Sequence, residues 1–206
     1  MLITISGIDG SGKTTLCKTI TEELISKGFQ AKACMPDYIC NNLMKEFAKN
    51  YYGDPYAYVP NFSEIYINGL FVDWLDTYDK ILKKPTDEIL IFDRYLFDFL
   101  AQAIHYQVKP ISLLKMFTLF PYPDISFFIS ISPSLAFERL NIRSHPNMHH
   151  LESLENLEIL NEAYNNVMEK VQWTPKVVSG LEDINLILDI IINKKDTVND
   201  RRICIR

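Results

Sequence analysis

The sequence predicts an α/β fold: a mostly parallel sheet covered by helices on both faces. Three observations carry this reading. Short, mostly apolar runs stand at residues 2–6, 89–92 and 125–131, and the second of them is continuously apolar, the pattern of a strand buried on both sides. Segments with apolar residues at helical spacing lie between them. A glycine-rich turn joins the first strand to the first helix.

In chain order, the β-branched run at residues 2–6 is followed by the glycine turn and a helix from Thr14 to Lys27, in which Leu16, Ile20, Leu24 and Ile25 share a face. Gly28 stands where a helix C-cap is expected, and residues 30–35 return as a second strand that Pro36 stops. Residues 62–84 are apolar with helical rhythm, and Pro85-Thr86-Asp87 breaks them before the third strand, whose C-terminal end is Asp93. A helix at 96–106, a turn at Pro121-Tyr122-Pro123 and a strand at 125–131 repeat the alternation. Helices at 133–143 and 154–171, a short strand at 176–178 and a helix at 181–193 complete it. Residues 1–194 thus form one domain, and 195–206, rich in charged and amide side chains, are expected to be a loosely held tail.

The length of 206 residues suits a single domain. A net charge of −5 offers no cationic footprint for nucleic acid or for an anionic membrane surface, so any bound anion must be gripped locally. Cys17, Cys34, Cys40 and Cys204 match neither a disulfide framework nor zinc-ligand spacing, and no secretory signal precedes the first strand, which together predict a cytoplasmic protein with reduced thiols. No apolar stretch is long enough to span a membrane.

Gly7-Ile8-Asp9-Gly10-Ser11-Gly12-Lys13-Thr14 matches the phosphate-loop pattern G-x-x-x-x-G-K-[ST], and its place between a strand and a helix is the context that pattern requires. The glycines let the backbone curl until successive N–H groups and the helix N-terminus face one phosphate chain. Lys13 supplies a mobile cation to the β and γ phosphates, and Thr14 a hydroxyl to Mg²⁺. The expected substrate is ATP with Mg²⁺, bound in a P-loop NTPase fold. Asp93, at the end of a buried strand, is placed to hold the metal's hydration shell, because ligands of open α/β sheets lie beyond the strands' carboxyl ends. Arg139 and Arg143, four residues apart, lead into the polar stretch 144–150 and predict a lid at about 139–152 that closes over the nucleotide.

These residues resemble the thymidylate kinase family of nucleoside monophosphate kinases. Residues 6–15 look like its phosphate loop, internal Asp9 included, and Asp93-Arg94-Tyr95 looks like its DRY motif. The likeness extends through the lid helix at 135–143 and the helix at 152–164 to the closing strand and helix at 173–184. It implies a five-stranded parallel sheet, catalytic roles for Lys13, Asp93, Arg94 and Arg143, nucleotide contacts from residues 7–15 (Thr15 included) and Arg139, and an acceptor faced by Asp9 and Asp93. The acceptor half departs from the pattern. Aligned on Trp74, Asp73 falls where the family's phosphate-binding arginine belongs and Gly69 where an aromatic stacks on the base. Asp37-Tyr38 follows the proline of the second βα loop, and Asp98 replaces a small polar residue.

Carboxylates at 37, 73 and 98 would repel a phosphate dianion. The expected acceptor is therefore either a nucleoside monophosphate held in an unusual way or a hydroxyl-bearing neutral or cationic small molecule contacted by Asp9, Asp37, Tyr38, Asp73 and Asp98. The alternative is an ATP-binding regulatory protein without phosphotransfer. A switch GTPase is excluded, because the letters N-K-x-D occur only at 193–196, after a helix. The apolar segment 65–75 offers a surface for a second copy of the chain.

Overall fold

The computed structural model describes residues 1–109, 120–143, 152–170 and 174–203, with side chains as far as Lys195. Five strands form one parallel sheet: β1 (Leu2–Ser6), β2 (Ala31–Cys34), β3 (Ile89–Asp93), β4 (Ile125–Ile129) and β5 (Lys176–Val178), in the order β2-β3-β1-β4-β5. The chain winds outward on one side of β1 and then on the other, so the loop after β1 emerges at the crevice where the winding reverses. Ile5 is in register with Asp93 on β3 and with Phe127 on β4, which brings the ends of three strands to one edge.

The period-two alternation of strands divides the core. Ile3, Ile5, Ile89, Ile91, Ile125, Phe127 and Ile129 face one side, where they pack on Leu16, Ile20 and Leu24 of α1 (Lys13–Ser26) and on Ile187, Leu188 and Ile191 of the last helix. Leu2, Leu90 and Phe92 face the other side, against Leu70, Phe71 and Trp74 of α4 (Ser63–Thr77) and Leu96 and Phe99 of α5 (Leu96–His105). Phe128, also on that side, meets α5, α6 (Pro133–Ile142) and α7 (Leu154–Met168).

The caps are readable. Gly28 adopts φ 85° after α1, and Phe29 N–H reaches back to the Leu24 carbonyl at 3.0 Å. Ser132 and Ser153 cap α6 and α7 with their hydroxyls, and Pro133 takes the first turn of α6.

Two helices, α2 (Ile39–Tyr52) and α3 (Tyr58–Asn61), occupy a stretch with no element in the sequence reading. Residues 62–84 resolve into α4 and a π-helical turn, Tyr78–Leu82. A 3₁₀ turn (Leu181–Asp183) precedes α8 (Ile184–Ile203), which continues ten residues past Asn193. Among the described residues no helix is long and apolar enough to cross a membrane.

Candidate active site

The loop after β1 is shaped by what its glycines permit. Gly10, at φ 80°, passes so close to α6 that an added Cβ would sit 2.5 Å from the Ala136 carbonyl oxygen. Gly12, at φ 94°, is the N-cap of α1, with no side chain of its own to occupy that helix's free N–H groups and open space where a Cβ would be. Ser11 Oγ is buried and has no hydrogen-bond partner among the described residues. A helix N-terminus of unoccupied donors, with an unpartnered hydroxyl beside it, fits a phosphate chain.

Lys13, 5% exposed, donates from Nζ to the Ile8 carbonyl at 2.8 Å and lies 3.8 Å from Asp9 Oδ1. Burial lowers its pKa to about 8; Arg94 adds to the effect, and Asp9, Asp93 and Asp98 oppose it. Thr14 donates its hydroxyl proton to Asp93 Oδ2 at 2.5 Å, and Asp93 Oδ1, also buried, has no partner among the described residues. A hydroxyl and a carboxylate with an unused oxygen, beside the lysine, suit Mg²⁺, which keeps most of its waters and takes few protein ligands. Among the described residues no cluster of three or more His, Cys, Asp or Glu forms a full metal cage.

Arg94 follows Asp93 in the left-handed region, φ 72°, a conformation that costs energy in a non-glycine residue and is held here by its partners. Its guanidinium is bonded to Asp9 and lies 3.7 Å from Asp98 Oδ1. Asp98 is 2% exposed and accepts from the Ser6 hydroxyl at 2.7 Å, the Tyr95 N–H at 2.8 Å and the Tyr164 hydroxyl at 2.6 Å. Burial raises its pKa, against Arg94 and the hydroxyls of Tyr164 and Ser6. The carboxylate therefore ties β1, α5 and α7 together beneath Arg94.

One cavity of about 600 Å³ starts at Asp9, Lys13, Thr14, Asp93 and Arg94 and extends under α2. Its lining combines aromatic and aliphatic side chains, Tyr58, Tyr66, Leu70, Trp74, Tyr95 and Phe99, with the polar Asn41, Asn42, Lys45 and Gln102 and with Tyr38. A second cavity of about 370 Å³ lies over the opposite side of the loop, bounded by Gly10, Ser11, Gly12, Thr15, Arg139, Arg143 and residues 179–182. Arg143 borders both. A triphosphate laid along the loop would thus have one cavity at each end.

The family model "Thymidylate kinase" matches residues 5–189. The chain belongs to the thymidylate kinase family. It is 30% identical over 174 residues to the thymidylate kinase of Leptospira interrogans serovar copenhageni, covering 82% of each chain. It is 27% identical over 191 residues to a probable thymidylate kinase 1 of Saccharolobus solfataricus, covering 91% of this chain and 93% of that one. A solved deoxyadenosine kinase from M. mycoides superposes with a TM-score of 0.62 at 18% identity, over 96% of this chain and 100% of that chain, a likeness of fold. The α/β, five-stranded parallel P-loop fold expected from the sequence is the fold found.

Within this member of the thymidylate kinase family, the sequence-derived site residues fall into three groups. Asp9, Lys13, Thr14, Asp93 and Arg94 converge at the loop, and Thr15, Arg139 and Arg143 border the second cavity. The rest of the expected lid segment, residues 144–151, lies outside the described residues. Asp37 and Tyr38 border the first cavity; Asp37 is also bonded to Lys80 at 2.8 Å, and Tyr38 starts α2 at φ 51°.

The structure places one of the expected acceptor carboxylates away from the cavity. Asp73 is not among the cavity's lining residues. It is 2% exposed and accepts the backbone N–H groups of Cys40 at 2.8 Å and Asn41 at 3.4 Å, holding the N-terminus of α2. Gly69, one turn earlier, meets α2 so closely that a Cβ would lie 2.6 Å from Met44 Cε. The α4 face holding Gly69 and Asp73 is the one that packs on α2, and the face toward the cavity is Tyr66, Leu70 and Trp74. Asp98 does reach the cavity wall, but its oxygens are taken by Ser6, Tyr95 and Tyr164.

Sequence reasoning missed Tyr66, Leu70, Gln102, Asn41 and Asn42 as cavity residues. The spacing 66, 70, 74 was the available signal. Lys45 lies 4.8 Å over the Tyr56 ring, and burial lowers its pKa.

Proposed function

We propose that this protein is a Mg²⁺-dependent kinase that transfers the γ-phosphoryl group of ATP to a nucleoside monophosphate, dTMP being the first acceptor to test. The observation that carries the reading is the single cavity joining Lys13, Thr14 and Asp93 to an aromatic slot. A flat ring placed between Tyr66, Leu70, Trp74 and Phe99 would direct the rest of the acceptor toward Asp9, Arg94 and the loop. Relatives named thymidylate kinase support the same acceptor class.

In this proposal the loop N–H groups and Lys13 bind the β and γ phosphates, and Arg143, bordering both cavities, neutralises charge on the transferring group. Arg94, held by Asp9 and Asp98, faces the acceptor's phosphate. Its two carboxylates fix the guanidinium and lessen its net attraction, so Lys45, Asn41, Asn42 and Tyr38 supplement it from α2. Thr14 and Asp93 would hold Mg²⁺, which when bound neutralises phosphate oxygens. The protein's contribution to rate is then positioning and fixed charge.

The test is a coupled ADP-release assay over nucleoside monophosphates and the matching nucleosides. Turnover of at least one monophosphate, lost in Lys13→Ala, is the expected result. Tight ATP binding with no turnover of any acceptor would refute the kinase reading and favour a regulatory ATP-binding role.

We propose further that the protein dimerises through α2 and α4. Ile39, Leu43, Phe47 and Tyr51 form one stripe along α2, with Leu43 67% and Tyr51 74% exposed, and Ile65 and Val72 are exposed on α4, which packs on α2. Such a contiguous apolar stripe is characteristic of a protein–protein surface.

A further inference from the structure

The cationic side chains lining the first cavity are not equally available to an anion. Lys13 lies 3.8 Å from Asp9 Oδ1 and donates to the Ile8 carbonyl at 2.8 Å. Arg94 is bonded to Asp9 and stands 3.7 Å from Asp98 Oδ1, so two carboxylates offset its charge. Arg143 borders the donor cavity as well. Lys45, on α2, is paired with no carboxylate among the described residues, and its ammonium rests 4.8 Å over the Tyr56 ring. Burial lowers its pKa and no neighbouring carboxylate raises it, the mark of a charge partly stripped of water and left uncompensated. The other carboxylates of the cavity are engaged elsewhere: Asp37 is bonded to Lys80 at 2.8 Å, Asp93 accepts from Thr14, and Glu152, behind burial, raises the pKa of Tyr56.

Tyr38, Asn41, Asn42 and Lys45 recur at helical spacing and give α2 its cavity face. Lys45 stands about 10 Å along the helix from Tyr38, and a helical side chain leans toward its helix's N-terminus. For α2 that is the end where Tyr38 feels the charges of Arg94 and Asp93. Asp73 holds this end by the N–H groups of Cys40 and Asn41, so the helix carrying Lys45 is fixed to α4.

We propose that Lys45 is the residue by which this cavity selects a phosphorylated acceptor over the matching uncharged nucleoside. The inference rests on the reading that the cavity takes a nucleotide acceptor, and it names the group that supplies the discriminating charge. A phosphate dianion leaving water loses solvation that cations free to turn toward it must return. Arg94 returns little net, because an anion brought to its guanidinium is brought to Asp9 and Asp98 as well. Lys45 meets no such cancellation. Its three N–H donors on a flexible stem can exchange the Tyr56 ring face for a stronger, charge-assisted bond. A nucleoside, with a hydroxyl in place of the phosphate, gains nothing comparable there. Arg94 thus orients the acceptor, and the net charge that distinguishes one acceptor class from the other stands on α2.

The experiment measures calorimetric Kd for dTMP against thymidine and for dGMP against deoxyguanosine in wild type, Lys45→Met and Lys45→Arg, with kcat and KM for the monophosphates under saturating ATP·Mg²⁺ in parallel. Wild type is expected to favour the monophosphate of at least one pair by about tenfold or more. Lys45→Met keeps the length of the stem and should shrink that ratio by about tenfold, by weakening the monophosphate and leaving the nucleoside within about twofold. Lys45→Arg keeps the charge and should restore the ratio to within about threefold of wild type, a rescue that a merely structural role would not give. In the turnover assay the loss in Lys45→Met should fall on KM more than on kcat. Far-UV circular dichroism melts confirm that each variant folds. A ratio unchanged in folded Lys45→Met, an equal loss of nucleoside binding, or a wild type that binds nucleoside as tightly as monophosphate would overturn the assignment, even in an active kinase. Absent turnover of every acceptor, with monophosphate binding lost in Lys45→Met and recovered in Lys45→Arg, would overturn the kinase reading and leave the role of Lys45 standing.

Discussion

If Lys13 receives ATP as proposed, ATP affinity should depend on pH in a window where few other groups change charge. The Lys13 pKa is lowered to about 8, chiefly by burial in the fold of the phosphate loop. If only the protonated amine receives the β and γ phosphates, the apparent Kd grows as 1 + 10^(pH − pKa). That is about elevenfold at one unit above the pKa, or about 1.4 kcal/mol. Calorimetric titration of the acceptor-free protein with ATP·Mg²⁺, from about pH 7.5 to about pH 9.5, should show this rise, and Lys13→Ala should bind weakly with no such profile. Lys45, whose pKa burial also lowers, is the other amine in the cleft. Lys45→Gln should therefore keep the wild-type profile, since Lys45 lies at the acceptor end. Tyr38, pushed up to about 12, does not titrate in the window.

The same shift has a stability consequence with a definite sign. A lysine whose folded pKa is depressed binds fewer protons folded than unfolded between about pH 8 and its ordinary 10.5. Stability should therefore rise with pH across that interval, removing a cost of about 3 kcal/mol that is fully present below pH 8. Lys13→Met should be more stable than wild type near neutral pH, and the difference should close as the pH rises. A wild-type Kd constant within about twofold across the range, together with a melting difference that ignores pH, would refute the assignment of a perturbed, phosphate-receiving Lys13.

Three further outcomes are expected. Asp98→Ala strands the hydroxyls of Ser6 and Tyr164 and the N–H of Tyr95 and removes a carboxylate from Arg94; it should cost about 3–5 kcal/mol and lower Tm by roughly 10 °C in a thermal melt, with Asp98→Asn milder. Asp73→Ala frees the N-terminus of α2 and should cost about 1–2 kcal/mol in chemical denaturation, while calorimetry shows ATP affinity unchanged. Phe47→Asp, in the exposed stripe of α2, should convert a dimer to a monomer in light scattering after size exclusion; a monomeric wild type would remove the dimer proposal.

The donor half of the site was legible because its chemistry is local. Eight consecutive residues, Gly7 to Thr14, carry the glycines, the lysine and the hydroxyl, and the strand before them and helix after them are strongly patterned. Asp93 was legible as the last residue of an apolar run. α2 was not, because its apolar residues Ile39, Leu43, Phe47 and Tyr51 face outward and only Ala48 is buried. A helix held by a neighbouring carboxylate and a glycine contact leaves little trace in its own periodicity. The lining residues Tyr66 and Gln102 stand 36 positions apart and meet only through the packing of α4 against α5.

The same distinction bears on what the charges counted along the chain do. Asp73 and Asp98 look like two carboxylates added to a binding site, yet each is less exposed than Lys13 and each accepts at least two hydrogen bonds from the fold. A buried carboxylate whose lone pairs are satisfied acts first on what it touches: Asp73 on the start of α2, Asp98 on Arg94. Through α2, Asp73 supports Asn41, Asn42 and Lys45; through Arg94, Asp98 supports the cation nearest the phosphate loop. Carboxylates that on sequence alone argued against a phosphorylated acceptor therefore help to position the donors and cations proposed to receive one. Their electrostatic cost at the cavity is borne mainly by Asp98, 3.7 Å from the Arg94 guanidinium. For that reason the milder Asp98→Asn change should leave KM for a monophosphate acceptor unchanged or lower it, even as it loosens the fold, and a KM raised about tenfold or more would show that the full carboxylate charge is required to hold Arg94 in place.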